Sequence, residues 1–219
     1  MKPSVSAEHL AEKLASGLEV MGLEAVTVAQ RDLLVRYLLL LQRWNATHNL
    51  TAVRDPLAMV PRHLLDSLAL LPLLPAGRIV DIGSGAGLPG IPLAICRPQS
   101  LVVLVEPAAK RVAFLRTVIA ELGLANLQVV PYGSEAYQPE ALPDVIVSRA
   151  TAPLVRLDTM TRHLQGAQTL VLALKGPGVE DEIAEWPRAS TLCLRRHALC
   201  VPDAPPRTLL MWSASTALP

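Results

Sequence analysis

Residues 81–92 read DIGSGAGLPGIP, and this stretch limits the folds open to the chain more than any other. Gly83, Gly85 and Gly87 follow the apolar run 78–82 (RIVDI) and precede a segment of helical character. Glycines between a buried strand and a helix let the backbone turn sharply and come close to a ligand. Strand, glycine turn and helix together open a βαβ unit, the unit from which nucleoside-binding parallel sheets are built.

The chain downstream keeps that rhythm. Residues 101–105 (LVVLV), Leu127–Val130, 145–147 and 170–174 are short apolar runs that read as strands. Between them, Ala109–Leu122 carries Val112, Leu115, Ile119 and Leu122 on one helical face, and 153–164 reads as another helix. Such alternation predicts a parallel sheet. The tail breaks it: 191–194 and 208–212 are strand-like with no helix between them, so an antiparallel edge is expected. The fold class is therefore α/β and Rossmann-like, a mostly parallel seven-stranded sheet with an antiparallel last strand.

Residues 1–75 differ and read as a helical extension, leaving 76–219 as the ligand-binding domain. Thr27 and Gln30 form a capping box. Leu34, Leu38, Leu41 and Trp44 then recur at helical spacing. Residues 45–53 (NATHNLTAV) read as a loop. Asp55 and Pro56 start a further helix, kinked at Pro61.

Composition narrows the function classes. The 219 residues are 51% apolar, which excludes disorder. Twenty Lys+Arg against nineteen Asp+Glu, with seven aromatic residues (3 Trp, 3 Tyr, 1 Phe), do not make a free-standing RNA-binding module. No stretch suits a membrane span, and no apolar signal core opens the chain. The three cysteines form no CxxC pair and read as reduced core thiols, with no metal duty. A cytoplasmic enzyme is the expectation.

Two ligand classes compete for the glycine turn. Residues 85–90 fit the dinucleotide pattern G-x-G-x-x-G, but that frame leaves Asp81 and Gly83 without a role. Read from Asp81, the pattern Asp-x-Gly-x-Gly-x-Gly uses all of them and points to S-adenosylmethionine. Asp81 could accept hydrogen bonds from the ligand. Glu106 ends the next strand, where a carboxylate can take both ribose hydroxyls of a nucleoside. Few residues remain after the third strand, too few for a separate substrate domain.

A set of short blocks then makes the chain resemble one family. They are residues 44–45 (WN), 49–55 (NLTAVRD), 62–67 (RHLLDS), 81–92, 110–112 (KRV), 148–150 (SRA) and 174–176 (LKG). Together they resemble the RsmG (GidB) family, the small-subunit (16S) ribosomal RNA guanine-N7 methyltransferases. The resemblance implies a helical extension on an S-adenosylmethionine-binding Rossmann-like domain. It implies cofactor contacts at Gly83, Leu88, Glu106, Ser134, Glu135 and Arg149, and 16S rRNA or the small ribosomal subunit as partner. Gly133, where family members often carry Arg, departs from the pattern, as do Thr151 and Pro61.

Guanine N7 is a lone-pair acceptor without a proton, so its methylation needs no general base. No residue is therefore assigned as catalytic. His63 and Asp66, one turn apart, can share a helical face, and Arg62, His63 and Asp66 are candidates for the pocket mouth. Lys175, at the end of the fifth strand, is a candidate beside them. The basic run at Arg195, Arg196 and His197 reads as a solvated face. The near-zero net charge is an average: residues 149–175 hold four basic side chains against Asp158, and 188–207 hold four against Asp203. An RNA substrate predicts that these segments and residues 54–62 gather around the pocket. Methylation of a small molecule or protein, and a non-catalytic nucleotide-binding assembly factor, are the alternatives.

Overall fold

The run at 78–82 becomes β1 (Ile79–Ile82), buried at all four positions and paired in parallel on both sides. Residues 6–214 are described in the computed structural model. The other strands are β2 (Val102–Val105), β3 (Leu127–Val130), β4 (Val145–Arg149), β5 (Leu170–Lys175), β6 (Cys193–Leu199) and β7 (Arg207–Ser213). They form one seven-stranded sheet in the order β3-β2-β1-β4-β5-β7-β6. The first five pair in parallel, and β7 runs antiparallel to both β5 and β6. The expected α/β, mostly parallel sheet is observed.

Both faces of the sheet are covered, which is why its inner strands are continuously apolar instead of alternating. Ile79, Val102, Leu104, Val145, Val147 and Leu172 join one core, while Val80, Ile82, Val103, Val105, Ile146 and Val171 join the other. The first core also takes in the N-terminal helices α1 (Ala7–Val20) and α2 (Val28–His48), together with α5 (Gly90–Cys96) and α6 (Ala109–Leu122). The second is closed by α7 (Leu154–Thr161) and α8 (Val179–Ala184), with Trp186 against Trp212. The N-terminal helices and the sheet thus share one apolar core. Tyr37 ties them further, its buried hydroxyl donating to the Ala86 carbonyl at 2.7 Å inside the glycine turn.

Three expectations need correction. Residues 45–48 are not loop but the last turn of α2, which ends at Asn49 in the left-handed region (φ 51°). Asn45 is polar because it organises the chain beyond the helix: buried, it accepts the Thr51 N–H at 2.9 Å and donates to the Val53 carbonyl at 3.3 Å. The segment around Pro61 is not simply kinked. After α3 (Pro56–Met59) the chain widens into a π-helical stretch, Val60–Leu65, and resumes as α4 (Asp66–Leu68). Pro61 has no N–H to give to an α-helical ladder, consistent with the widened turn. The strand placed at 191–194 is β6, later and longer; Arg195 and Arg196 conceal it in the sequence because an edge strand is blunted by charge.

Candidate active site

Chain order in the sheet reverses between β1 and β4: β2 and β3 lie to one side, β4 and β5 to the other. Crevices at such a reversal, beyond the carboxyl ends of the strands, are where open α/β sheets bind ligands. A cavity of about 1040 Å³ lies there. Its walls are the segments that follow β1 to β5, with Leu50, Thr51, Val53, Arg62 and His63 from the helical extension across from them.

Gly83, Leu88, Glu106, Ser134, Glu135 and Arg149 all line this one cavity, as do Arg62, His63 and Lys175. Asp66 does not. It is fully buried, where Arg149 Nη1 donates to its Oδ2 at 3.1 Å and Arg207 Nε lies 3.5 Å from its Oδ1. A carboxylate out of water needs cationic partners, and Asp66 is the anchor that orients Arg149. The same guanidinium donates to the Arg62 carbonyl at 2.8 Å, joining the end of β4 to the helical extension. Asp81 also lies outside the lining. Its Oδ2 accepts the Gly90 N–H at 2.9 Å, so it braces α5 against β1. Burial pushes its carboxyl up to about 7.

The glycine turn is shaped by sterics. Gly83 has φ +67°, and a Cβ there would lie 2.4 Å from Thr151 Cγ2 and 2.8 Å from Thr151 Oγ1. Thr151 is held in turn, donating to the Ile82 carbonyl at 2.9 Å and accepting from Ser148 Oγ at 2.9 Å. Gly85 differs: around its missing Cβ the nearest atom is Gly83 O at 3.8 Å, so its flank is open. Its N–H donates to Glu106 Oε2 at 2.8 Å, while Glu106 Oε1 accepts the Ala108 N–H at 2.9 Å. Glu106 is 1% exposed, so these two bonds fix its carboxylate against the turn. Each oxygen keeps a further lone pair. An open glycine flank beside a fixed carboxylate fits a nucleoside whose diol reaches the end of β2.

His63 is positioned for support, not proton transfer. Nδ1 pairs with the Arg62 carbonyl at 2.9 Å and Nε2 with Thr51 Oγ1 at 2.9 Å. A carbonyl only accepts, so the proton sits on Nδ1 and Nε2 accepts from Thr51. Burial, with Arg149 adding to it, lowers the ring pKa to about 4. Lys175 is likewise engaged, donating to the Ala152 carbonyl at 2.6 Å and Glu182 Oε2 at 2.7 Å.

The charged segments divide. Arg62, Arg149, Arg156, Lys175 and Arg207 meet at the cavity, with Arg111 beside Glu106. Arg162 and Arg188 instead clamp buried Asp158, and Arg196 pairs with Glu180 at 3.0 Å on the edge side. Arg111 lies in a family block, and Arg156 and Arg207 in basic segments expected at the pocket, but sequence reasoning assigned none of them a site role. Glu182 was missed: it comes from a segment with no motif, and only the fold carries it to the crevice.

The family model described as "rRNA small subunit methyltransferase G" matches residues 30–204. A protein of Pseudomonas fluorescens named "Ribosomal RNA small subunit methyltransferase G" is 45% identical over 202 residues, 92% of this chain and 93% of its own. A protein of the same name from Chromobacterium violaceum is 49% identical over 181 residues, 82% of this chain and 86% of its own. Among solved structures, a mutant of MtNAS in complex with S-adenosylmethionine superposes with TM-score 0.55 at 18% identity, over 94% of this chain and 88% of that one. That likeness is one of fold.

Proposed function

Because this chain belongs to the small-subunit ribosomal RNA methyltransferase G family, we infer that it transfers a methyl group from S-adenosylmethionine to N7 of one guanine in 16S rRNA. The observation that carries this is Glu106, a carboxylate with 1% exposure fixed by two backbone N–H groups where the open glycine flank meets the cavity. In this reading Glu106 accepts from the ribose hydroxyls, and Gly83 and Leu88 form the wall against which the nucleoside lies. Ser134 and Glu135, after β3, reach its far end. Arg149 closes the site toward the substrate side.

S-adenosylmethionine supplies an activated methyl on a sulfonium. The protein's task is then to align, and good alignment contributes roughly 7–11 kcal/mol. N7 carries no proton, so no side chain has to remove one. The site agrees with that: both nitrogens of His63 are occupied, Lys175 has two acceptors, and Asp81 is turned away from the cavity. The base enters unstacked, past Arg62, Arg156 and Arg207, which offer charge to its phosphates. Six cationic side chains (Arg62, Arg111, Arg149, Arg156, Lys175 and Arg207) around one opening give a local footprint that the net charge of +1 conceals.

The test is transfer of tritiated methyl from S-adenosylmethionine into 16S rRNA, naked or in small subunits, taken from cells without the modification. Label in one guanine, lost on Gly83→Asp, is expected. No label in either form of the RNA refutes the reading.

A further inference from the structure

Three carboxylates line the cavity: Glu106, Glu135 and Glu182. The first two follow β2 and β3, on the side of the sheet where the glycine turn lies. Glu182 stands on the other side. It projects from α8, and its Oε2 accepts from Lys175 Nζ at 2.7 Å and from the Leu154 N–H at 2.8 Å. Those bonds fasten it to the end of β5 and the start of α7. Both of these side-chain bonds fall on Oε2, and about a third of the side chain (31%) is open. Lys175, only 8% exposed, is satisfied by Glu182 and the Ala152 carbonyl and so holds the carboxylate still.

We propose that Glu182 reads the Watson–Crick edge of the target guanine, its Oε1 accepting from N1–H and the 2-amino group. This rests on the guanine-N7 reading above. N7 and the 2-amino group lie on opposite edges of guanine. With N7 directed at a donor held against Gly83, Leu88 and Glu106, the other edge turns toward the wall built by β4, β5 and α8. That edge presents two adjacent donors and requires an acceptor. Arg62, Arg156, Lys175 and Arg207 can only donate, which leaves Glu182 as the charged acceptor on that wall. Adenine offers no such pair of donors, so the same carboxylate selects guanine. A base taken out of its stack is commonly read on this edge.

The experiment compares RNA carrying guanine or inosine at the nucleotide that the wild-type enzyme methylates. Inosine keeps N7 and N1–H and lacks only the 2-amino group. The wild type is expected to lose roughly tenfold in kcat/KM on inosine, the scale of one good base contact. Glu182→Gln is expected to lower kcat/KM on guanine and to bring the two substrates within about twofold of each other. Calorimetric S-adenosylmethionine affinity equal to wild type shows that the variant is folded. A wild type that treats both RNAs alike, or a variant that keeps the wild-type ratio while slowing both, overturns the proposal and leaves the methyltransferase reading standing. A wild type that labels no RNA overturns both.

Discussion

Placing a methyl group on Gly83 tests whether the glycine turn is shaped by its neighbours. Alanine at φ +67° is strained by about 1–2 kcal/mol. Its Cβ would also meet Thr151 Cγ2 at 2.4 Å and Oγ1 at 2.8 Å. Thr151 cannot yield freely, because it is bonded to the Ile82 carbonyl and Ser148 Oγ, and forced overpacking costs about 1–3 kcal/mol. Gly83→Ala should therefore destabilise the protein by about 2–5 kcal/mol. Thr151→Ala removes the two closest atoms and leaves Thr151 Cβ at 3.2 Å. In that background Gly83→Ala should cost mainly the backbone strain, about 1–2 kcal/mol, with the residual 3.2 Å contact relieved by a shift of a few tenths of an ångström. The double-mutant cycle, read by urea denaturation of the four proteins at pH 7.5, should give a coupling of about 1–3 kcal/mol. Calorimetry on the same proteins should show weakened S-adenosylmethionine binding in both Gly83→Ala forms. Equal costs in the two backgrounds, within about 0.5 kcal/mol, would show that Thr151 is not what bars a side chain at this position.

Glu106→Gln should weaken S-adenosylmethionine by about tenfold in a calorimetric titration, the effect of trading a charged acceptor for a neutral one; an unchanged Kd would remove Glu106 from the ribose. His63 has its pKa lowered to about 4 against 6.5 in the unfolded chain, so its stabilising contribution is present above 6.5 and is lost as pH falls through 4. Asp81, raised from 3.8 to about 7, acts in the opposite sense: its contribution is present below 3.8 and is lost as pH rises through 7. The His63 effect is thus isolated by difference. The stability gap between wild type and His63→Gln should narrow by about 2–3 kcal/mol from pH 7.5 to 4.5, and a constant gap would mean that the ring is not held neutral. With no proton to remove, kcat should be level between pH 7.5 and 9, above the titration of both groups; a unit slope there would reveal a proton-transfer group.

The parallel sheet, the glycine turn and the carboxylate that closes β2 were all legible in the sequence, because each is a local matter. Strand and helix periods, the φ > 0 that favours glycine and the position of Glu106 at the end of an apolar run depend on neighbours along the chain. The family blocks added Arg62, His63, Arg149 and Lys175. Tertiary structure decided what those residues do. Asp66 and Asp81 look like ligand contacts on the line of the sequence, yet packing buries one beneath Arg149 and turns the other against Gly90. Glu182 carries no local signal, and Arg111, Arg156 and Arg207 showed only as a family block or as local charge; their place at the site follows from the chain order of the sheet, which reverses between β1 and β4. The same holds for charge: composition sums it along the chain, whereas binding responds to it in space, and only the fold brings six cations to one opening while sending Arg162, Arg188 and Arg196 to ion pairs elsewhere.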